Sequence, residues 1–138
     1  MIETTQFCVG LDNRPGMLAK LCGTLTKAKI NIEALCVSDD DECCWVNLVT
    51  SDGQAAEHAL GEAGYRFLSE QVLKVRIGNE PGDLECVASK LAEANVNINF
   101  VYGAGVPGSP SMLVLSVDDI ERAVAALRGS QRCEALAT

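Results

Sequence analysis

Two stretches decide how this sequence folds: Asp12-Asn13-Arg14-Pro15-Gly16-Met17-Leu18 and, sixty-six residues on, Gly78-Asn79-Glu80-Pro81-Gly82-Asp83-Leu84. Each contains Asn-x-Pro-Gly-x-Leu. Asn13–Ile32 laid over Asn79–Ile98 without gaps shows eight identities in twenty positions. Average composition would give about one or two. The identities reach from Asn13/Asn79 through Leu25/Leu91 and Ala28/Ala94 to Asn31/Asn97 and Ile32/Ile98. The register continues outward, with Phe7, Val9 and Leu11 over Leu73, Val75 and Ile77, and Asp52 over Asp118. Self-similarity at a fixed offset marks one structural unit used twice.

Within one copy, Phe7-x-Val9-x-Leu11 and Leu73-Lys74-Val75-Arg76-Ile77 alternate with period two, the signature of a half-buried strand. The Asn-x-Pro-Gly turn follows. Proline suits a first helical turn, where its missing N–H is not needed. Glycine permits a conformation, or a close approach, that a Cβ would forbid. Met17, Leu18, Leu21, Cys22, Leu25 and Ala28 then fall on one helical face, repeated by Leu84, Val87, Ala88, Leu91 and Ala94. Ile30-Asn31-Ile32 and Val96-Asn97-Ile98 open second strands. The hairpin loops are the acidic Asp39–Glu42 and the glycine-rich Gly103–Pro110. Third strands are expected near Trp45–Thr50 and Met112–Val117, and second helices over Gln54–Ala63 and Asp119–Leu127. Fourth strands are expected at Phe67–Glu70 and over Gln131–Leu136.

The order is β-α-β-β-α-β, twice. Right-handed crossovers turn that order into an α+β, ferredoxin-like sandwich, two helices on one face of an antiparallel sheet. The expected units are residues 1–70 and 71–138, with a seam near 65–72. No Pro- or Ser-rich linker interrupts the seam, so the sheets are expected to pack side by side.

The 138 residues suffice for one ordinary domain or two very small ones, and 48% of them are hydrophobic. Nineteen acids against eleven bases leave a net charge of -8. That balance argues against nucleic acid, whose phosphates demand a basic face, and against an anionic membrane surface. No apolar run is long enough to span a bilayer, and the N-terminus does not read as a secretory signal. The seven cysteines are then expected to be reduced thiols in a cytoplasmic protein.

Asn13-Arg14-Pro15-Gly16-Met17-Leu18 with Ile30-Asn31-Ile32, and Asn79-Glu80-Pro81-Gly82-Asp83-Leu84 with Val96-Asn97-Ile98, resemble the ACT domain family. Its members are small-molecule-sensing modules of amino-acid metabolism. The resemblance spans nearly the whole chain as two tandem copies, and it implies a free-standing regulatory pair. It implies an amino acid or similar metabolite held between paired units, with the Pro-Gly loop in the pocket. It points to Leu11, Asp12, Asn13, Arg14, Pro15, Gly16 and Met17 in the first copy, and to Asn79, Glu80 and Gly82 in the second. Leu11 and Ile77 stand two residues before the loop asparagine, where some amino-acid-binding members carry a histidine. Glu80 and Asp83 add negative charge around the second loop, so the first loop is the better site.

The physical reading of the loop agrees with that. A helix N-terminus offers unpaired N–H groups and partial positive charge to a carboxylate. Asn13 can bond an amine through its amide oxygen or a carboxylate through its NH₂. The bland alternative is that Asn-x-Pro-Gly is only good helix-start chemistry. Asn31 and Asn97 lie after the helix, about 20 Å from their own loop. They can serve a pocket only if units pair head to tail, Asn13 facing Asn97 and Asn79 facing Asn31.

Other residues read blandly. Cys43-Cys44 are adjacent and point to opposite faces of a strand, so a zinc site with Cys36 is disfavoured. His58, the single histidine, reads as solvated. Gly103-Ala104-Gly105-Val106-Pro107-Gly108 lacks the ending of a phosphate loop and joins two strands. If it moves, it could cover the adjacent pocket. No cofactor motif, nucleophile or acid–base pair stands out, so an enzyme ranks last, behind a ligand-free interaction module. The expected partners are an amino acid, other copies of the chain in a homo-oligomer, and a regulated protein.

Overall fold

The computed structural model describes residues 1–41 and 43–129. In chain order the elements are β1 (Ile2–Asp12), α1 (Met17–Lys27), β2 (Ile32–Asp40), β3 (Cys43–Thr50), α2 (Gly53–Glu62), β4 (Phe67–Ile77), α3 (Asp83–Glu93), β5 (Ile98–Ala104), β6 (Ser111–Val117) and α4 (Ile120–Leu127). The α+β class and the twice-used β-α-β-β-α pattern are therefore present. The two strands expected at Phe67–Glu70 and Leu73–Ile77 form one, β4. Only Gln71-Val72 separates them, and neither residue breaks a strand. The strand expected over Gln131–Leu136 lies outside the described residues, as does Glu42 of the first hairpin.

The chain divides into two compact units. Among the described residues the first is Thr5–Glu70; the second is the stretch from Gln71 to Gly129, together with Met1–Thr4.

In the first unit the strand order is β2-β3-β1. β3 runs antiparallel to both neighbours, with Phe7 opposite Leu48 and Leu48 opposite Leu35. Phe67–Glu70 lies along the other side of β1: Gly10 N–H donates to Arg66 O (3.2 Å), and Gln6 Nε2 donates to Glu70 Oε1 (3.1 Å). Period-two alternation puts Phe7, Val9 and Leu11 on the helix side, where they meet Leu21 and Leu25 of α1 and Ala56 and Leu60 of α2. Each fully buried leucine contributes about 1.5–3 kcal/mol over its exposed state.

The second unit repeats this with strand order β4-β6-β5. Leu73 stands opposite Leu115, and Leu115 opposite Val101. Leu73, Val75 and Ile77 pack on Val87 and Leu91 of α3 and on Ala123 and Leu127 of α4; Met1 packs against the same core. In both units the apolar helix stripe is narrower than its sequence pattern: Leu18 is 37% and Leu84 51% exposed.

Helix ends repeat as well. Lys29 (φ 59°) and Asn95 (φ 57°) take the left-handed conformation after α1 and α3. Ile30 N–H then returns to Leu25 O (3.0 Å), and Val96 N–H to Leu91 O (2.8 Å). These closures stop each helix and launch the next strand.

The offset between units does not stay at sixty-six. Phe7 matches Leu73 at that offset, but their partners Leu48 and Leu115 are sixty-seven apart. One extra residue sits in the second unit's hairpin. The structural counterpart of Asp52 is therefore Asp119, not Asp118. Asp52 Oδ1 caps α2 through Ala55 N–H (3.1 Å), and Asp119 Oδ1 caps α4 through Arg122 N–H (2.9 Å). Asp118 instead takes the Asn97 N–H (3.0 Å), as Ser51 Oγ takes that of Asn31 (3.0 Å).

Candidate functional site

Each Asn-x-Pro-Gly loop leads from the sheet into a helix through a left-handed glycine, Gly16 (φ 89°, ψ −12°) or Gly82 (φ 95°, ψ −11°). A Cβ built on Gly16 meets nothing within 4 Å. Of the two roles that the sequence left open for this glycine, the structure therefore requires the conformation, not close packing within the unit. The loop asparagines tie the loop to the hairpin of their own unit. Asn13 Nδ2 donates to Asp39 Oδ1 (2.9 Å) and Asp41 O (3.2 Å). Asn79 Nδ2 donates to Val106 O (3.0 Å). This clasp, which sequence spacing did not suggest, engages the amide NH₂ of both residues.

The two loops differ in what occupies the helix start. No side chain caps the start of either α1 or α3, so the difference lies in the turn just ahead of the helix. In the second loop Asp83 is only 6% exposed, and its Oδ2 accepts the Glu80 N–H at 2.9 Å. A Cβ on Gly78 would come within 2.7 Å of that oxygen, so the carboxylate is packed tightly against the turn. The first-unit counterpart of Asp83 is Met17, which offers no acceptor for such a bond. The extra acid noted in the sequence thus serves as an internal hydrogen-bond acceptor.

Beside the first loop lies a pocket of about 230 Å³. Leu11, Asp12 and Met17 of the expected site line it. Asn13, Arg14, Pro15 and Gly16 are exposed on the loop but outside that lining. The lining also includes Lys20, Cys43, Tyr65 and Arg66, none of which the sequence reading selected. Lys20 stands one turn into α1, its N–H bonded to Gly16 O (3.0 Å). Tyr65 and Arg66 are set by the end of α2, where Gly64 (φ 80°) turns the chain and Tyr65 N–H returns to Leu60 O (3.1 Å). Neither Lys20 nor Arg66 has an ion-pair partner among the described residues. Asp12 has Arg14 at 3.7 Å, both side chains largely in solvent. The Tyr65 hydroxyl is buried without a hydrogen-bond partner among the described residues.

The second loop borders a smaller pocket of about 190 Å³, lined by Asn79, Glu80 and the hairpin residues Gly103, Ala104 and Gly105. The glycine-rich hairpin therefore walls this pocket. Gly82 is outside the lining. Asn31 and Asn97 line neither pocket. Asn31 is separated from its own loop by the eleven residues of α1, about 16 Å. Its side chain makes no hydrogen bond among the described residues, whereas Asn97 Nδ2 donates to Asn99 Oδ1 (3.1 Å).

The remaining reactive groups are dispersed. The six described cysteines are free and half-buried. Burial, then the charge of Glu70, pushes the Cys8 thiol above its ordinary pKa. His58 lies in solvent, 3.2 Å from Glu62. Among the described residues no group of three His, Cys, Asp or Glu is placed to hold a metal ion, and no helix is long and apolar enough to cross a membrane.

No curated protein matches the chain in sequence. A protein from Bacteroides thetaiotaomicron has a similar solved structure, with a TM-score of 0.88 and 22% identity over 95% of this chain and 90% of its own. The ligand-free regulatory subunit of aspartate kinase from Thermus thermophilus follows the same fold at a TM-score of 0.69, with 20% identity over 90% of this chain and 88% of that one. The corresponding subunit from Thermus flavus gives 0.61 and 19%, over 90% and 89%. At these identities the likeness is one of fold. The family description "ACT domain pair" matches residues 2–129, both Pro-Gly loops and both sets of helices included, and the chain belongs to that family.

Proposed function

We propose that this chain is a regulatory module that binds an amino acid at the first Asn-x-Pro-Gly loop and relays its presence to a protein partner. The observation that carries the reading is the uncapped start of α1 beside a pocket lined by Asp12, Lys20 and Arg66. Free N–H groups and cations suit a carboxylate, and Asp12 suits an ammonium. Membership of the ACT domain pair family and a fold similar to the regulatory subunits of aspartate kinase support a regulatory role over a catalytic one. The chain acts in the cytoplasm and carries no activity of its own in this reading.

The functional form is a homo-oligomer of paired units. Exposed Leu18, Leu35 and Val37, the latter two on the outermost strand β2, support self-association. In this reading Asn31 and Asn97, which line neither pocket of their own units, serve a site only through a paired unit. The second loop, with Asp83 at its helix start, is the weaker site.

The test is calorimetric titration with each of the twenty amino acids, supported by thermal shift. A ligand at 100 times its dissociation constant raises stability by roughly 2.7 kcal/mol. Gly16→Val, folded by circular dichroism, is expected to lose binding. A flat calorimetric screen would leave the interaction module as the reading.

A further inference from the structure

We infer that the first-unit pocket selects an amino acid with an acidic side chain, an α-amino dicarboxylate, over its neutral amide. This rests on reading the first loop as an amino-acid site. A neutral amino acid presents one carboxylate and one ammonium. The pocket lining includes two cationic residues, Lys20 and Arg66, against one acidic residue, Asp12, which also has Arg14 at 3.7 Å. With Asp12 opposite the ammonium, one cation, together with the free N–H groups of α1, meets the α-carboxylate. The other cation is left to meet a second negative charge.

The two cations come from different elements, α1 and the turn after α2, so they can engage two separate carboxylates rather than chelate one. The planar fork of Arg66 suits bidentate pairing, and the Lys20 ammonium acts as a point charge. Neither is neutralised by a neighbour among the described residues, in a chain whose net charge is -8. Leu11 and Met17 supply an apolar wall for the methylene portion of the ligand. The second unit lacks this arrangement: Cys86 stands where the repeat places Lys20, and Asp83 brings its own carboxylate to the helix start.

The experiment is calorimetric titration of the full chain with aspartate, glutamate, asparagine and glutamine. Hydrogen bonds to charged groups contribute about 1.5–3 kcal/mol, which corresponds to a preference of about 10- to 150-fold for one acid over its isosteric amide. Lys20→Met and Arg66→Gln are both exposed substitutions, checked for folding by circular dichroism, and at least one should collapse that preference to near unity. Raising salt should weaken the acid more than the amide. If an amide or another neutral amino acid binds as tightly as the acids, the acidic selectivity is wrong while the amino-acid site stands. An acid preference unchanged in both variants would also overturn it, by removing Lys20 and Arg66 as its cause. If no amino acid binds, the site itself is refuted and the selectivity with it.

Discussion

Replacing Gly16 by alanine isolates the cost of one backbone conformation. Gly16 is left-handed (φ 89°), and an added Cβ there has open space on every side within 4 Å. No clash contributes, so the whole penalty is the strain of an L-residue at positive φ, about 1–2 kcal/mol. Gly23, inside α1, is the control: its Cβ also meets nothing, but its backbone is helical. Gly23→Ala should therefore stabilise by about 0.8–1 kcal/mol. Two substitutions with the same atoms, seven residues apart in one chain segment, are expected to act with opposite sign. Urea denaturation followed by circular dichroism reads both. With slopes of about 1–3 kcal/mol/M, the Gly16→Ala midpoint should fall by roughly 0.5–1 M and the Gly23→Ala midpoint rise by about half as much. The sites are about 10 Å apart along the helix, so the double variant should match the sum within about 0.5 kcal/mol. A neutral or stabilising Gly16→Ala would refute the claim that the loop is built on a left-handed glycine.

Asp52→Ala and Asp119→Ala each remove an N-cap and should cost about 1 kcal/mol apiece, whereas Asp118→Ala at the superseded repeat position should leave α4 capped; thermal melts compare the three. Asp83→Asn keeps the shape of the buried side chain but removes its charge, and should lower stability by about 1–2 kcal/mol in urea titrations at neutral pH. The raised Cys8 pKa means that the folded state holds its thiol proton more tightly than the unfolded state. Stability should therefore be flat with pH below the ordinary thiol pKa and fall as pH rises from there through the raised folded value. Cys8→Ala should remove that part of the alkaline loss, and mass-resolved alkylation near pH 8 should find Cys8 among the slower thiols.

The core was legible because its two periods are undisturbed. Phe7, Val9 and Leu11 alternate without a break, Leu21 and Leu25 are one helical turn apart, and each set recurs in the second copy. The helix starts were legible only to within a residue or two: Pro15 and Pro81, expected in the first helical turn, stand one residue ahead of the N-cap glycines Gly16 and Gly82, because Pro-Gly forms the turn itself. The pocket was not. Lys20 has the helical spacing of a solvated face, and Tyr65 and Arg66 follow a helix as ordinary turn residues would; only the approach of the two segments in space makes them neighbours. Asp83 was visible as a charge, yet its bond to Glu80 N–H depends on the reversal at Gly82. The extra hairpin residue was hidden because one loop is acidic and the other glycine-rich, leaving no side-chain pattern to align across them. The strand through residues 67–77 was split in the sequence reading by an assumed boundary that no glycine or proline marks.

That uninterrupted strand has a bearing on how the gene can be handled. A cut between Glu70 and Gln71, where the duplication would suggest one, passes through the middle of β4. The upstream piece would keep a four-residue stub, and the downstream piece would lose Met1–Thr4, including the methionine that packs on its core. Neither piece is a portable cassette. A chimera that exchanges the second copy for a homologue's must graft two separate segments, Met1–Thr4 and the stretch that starts at Gln71.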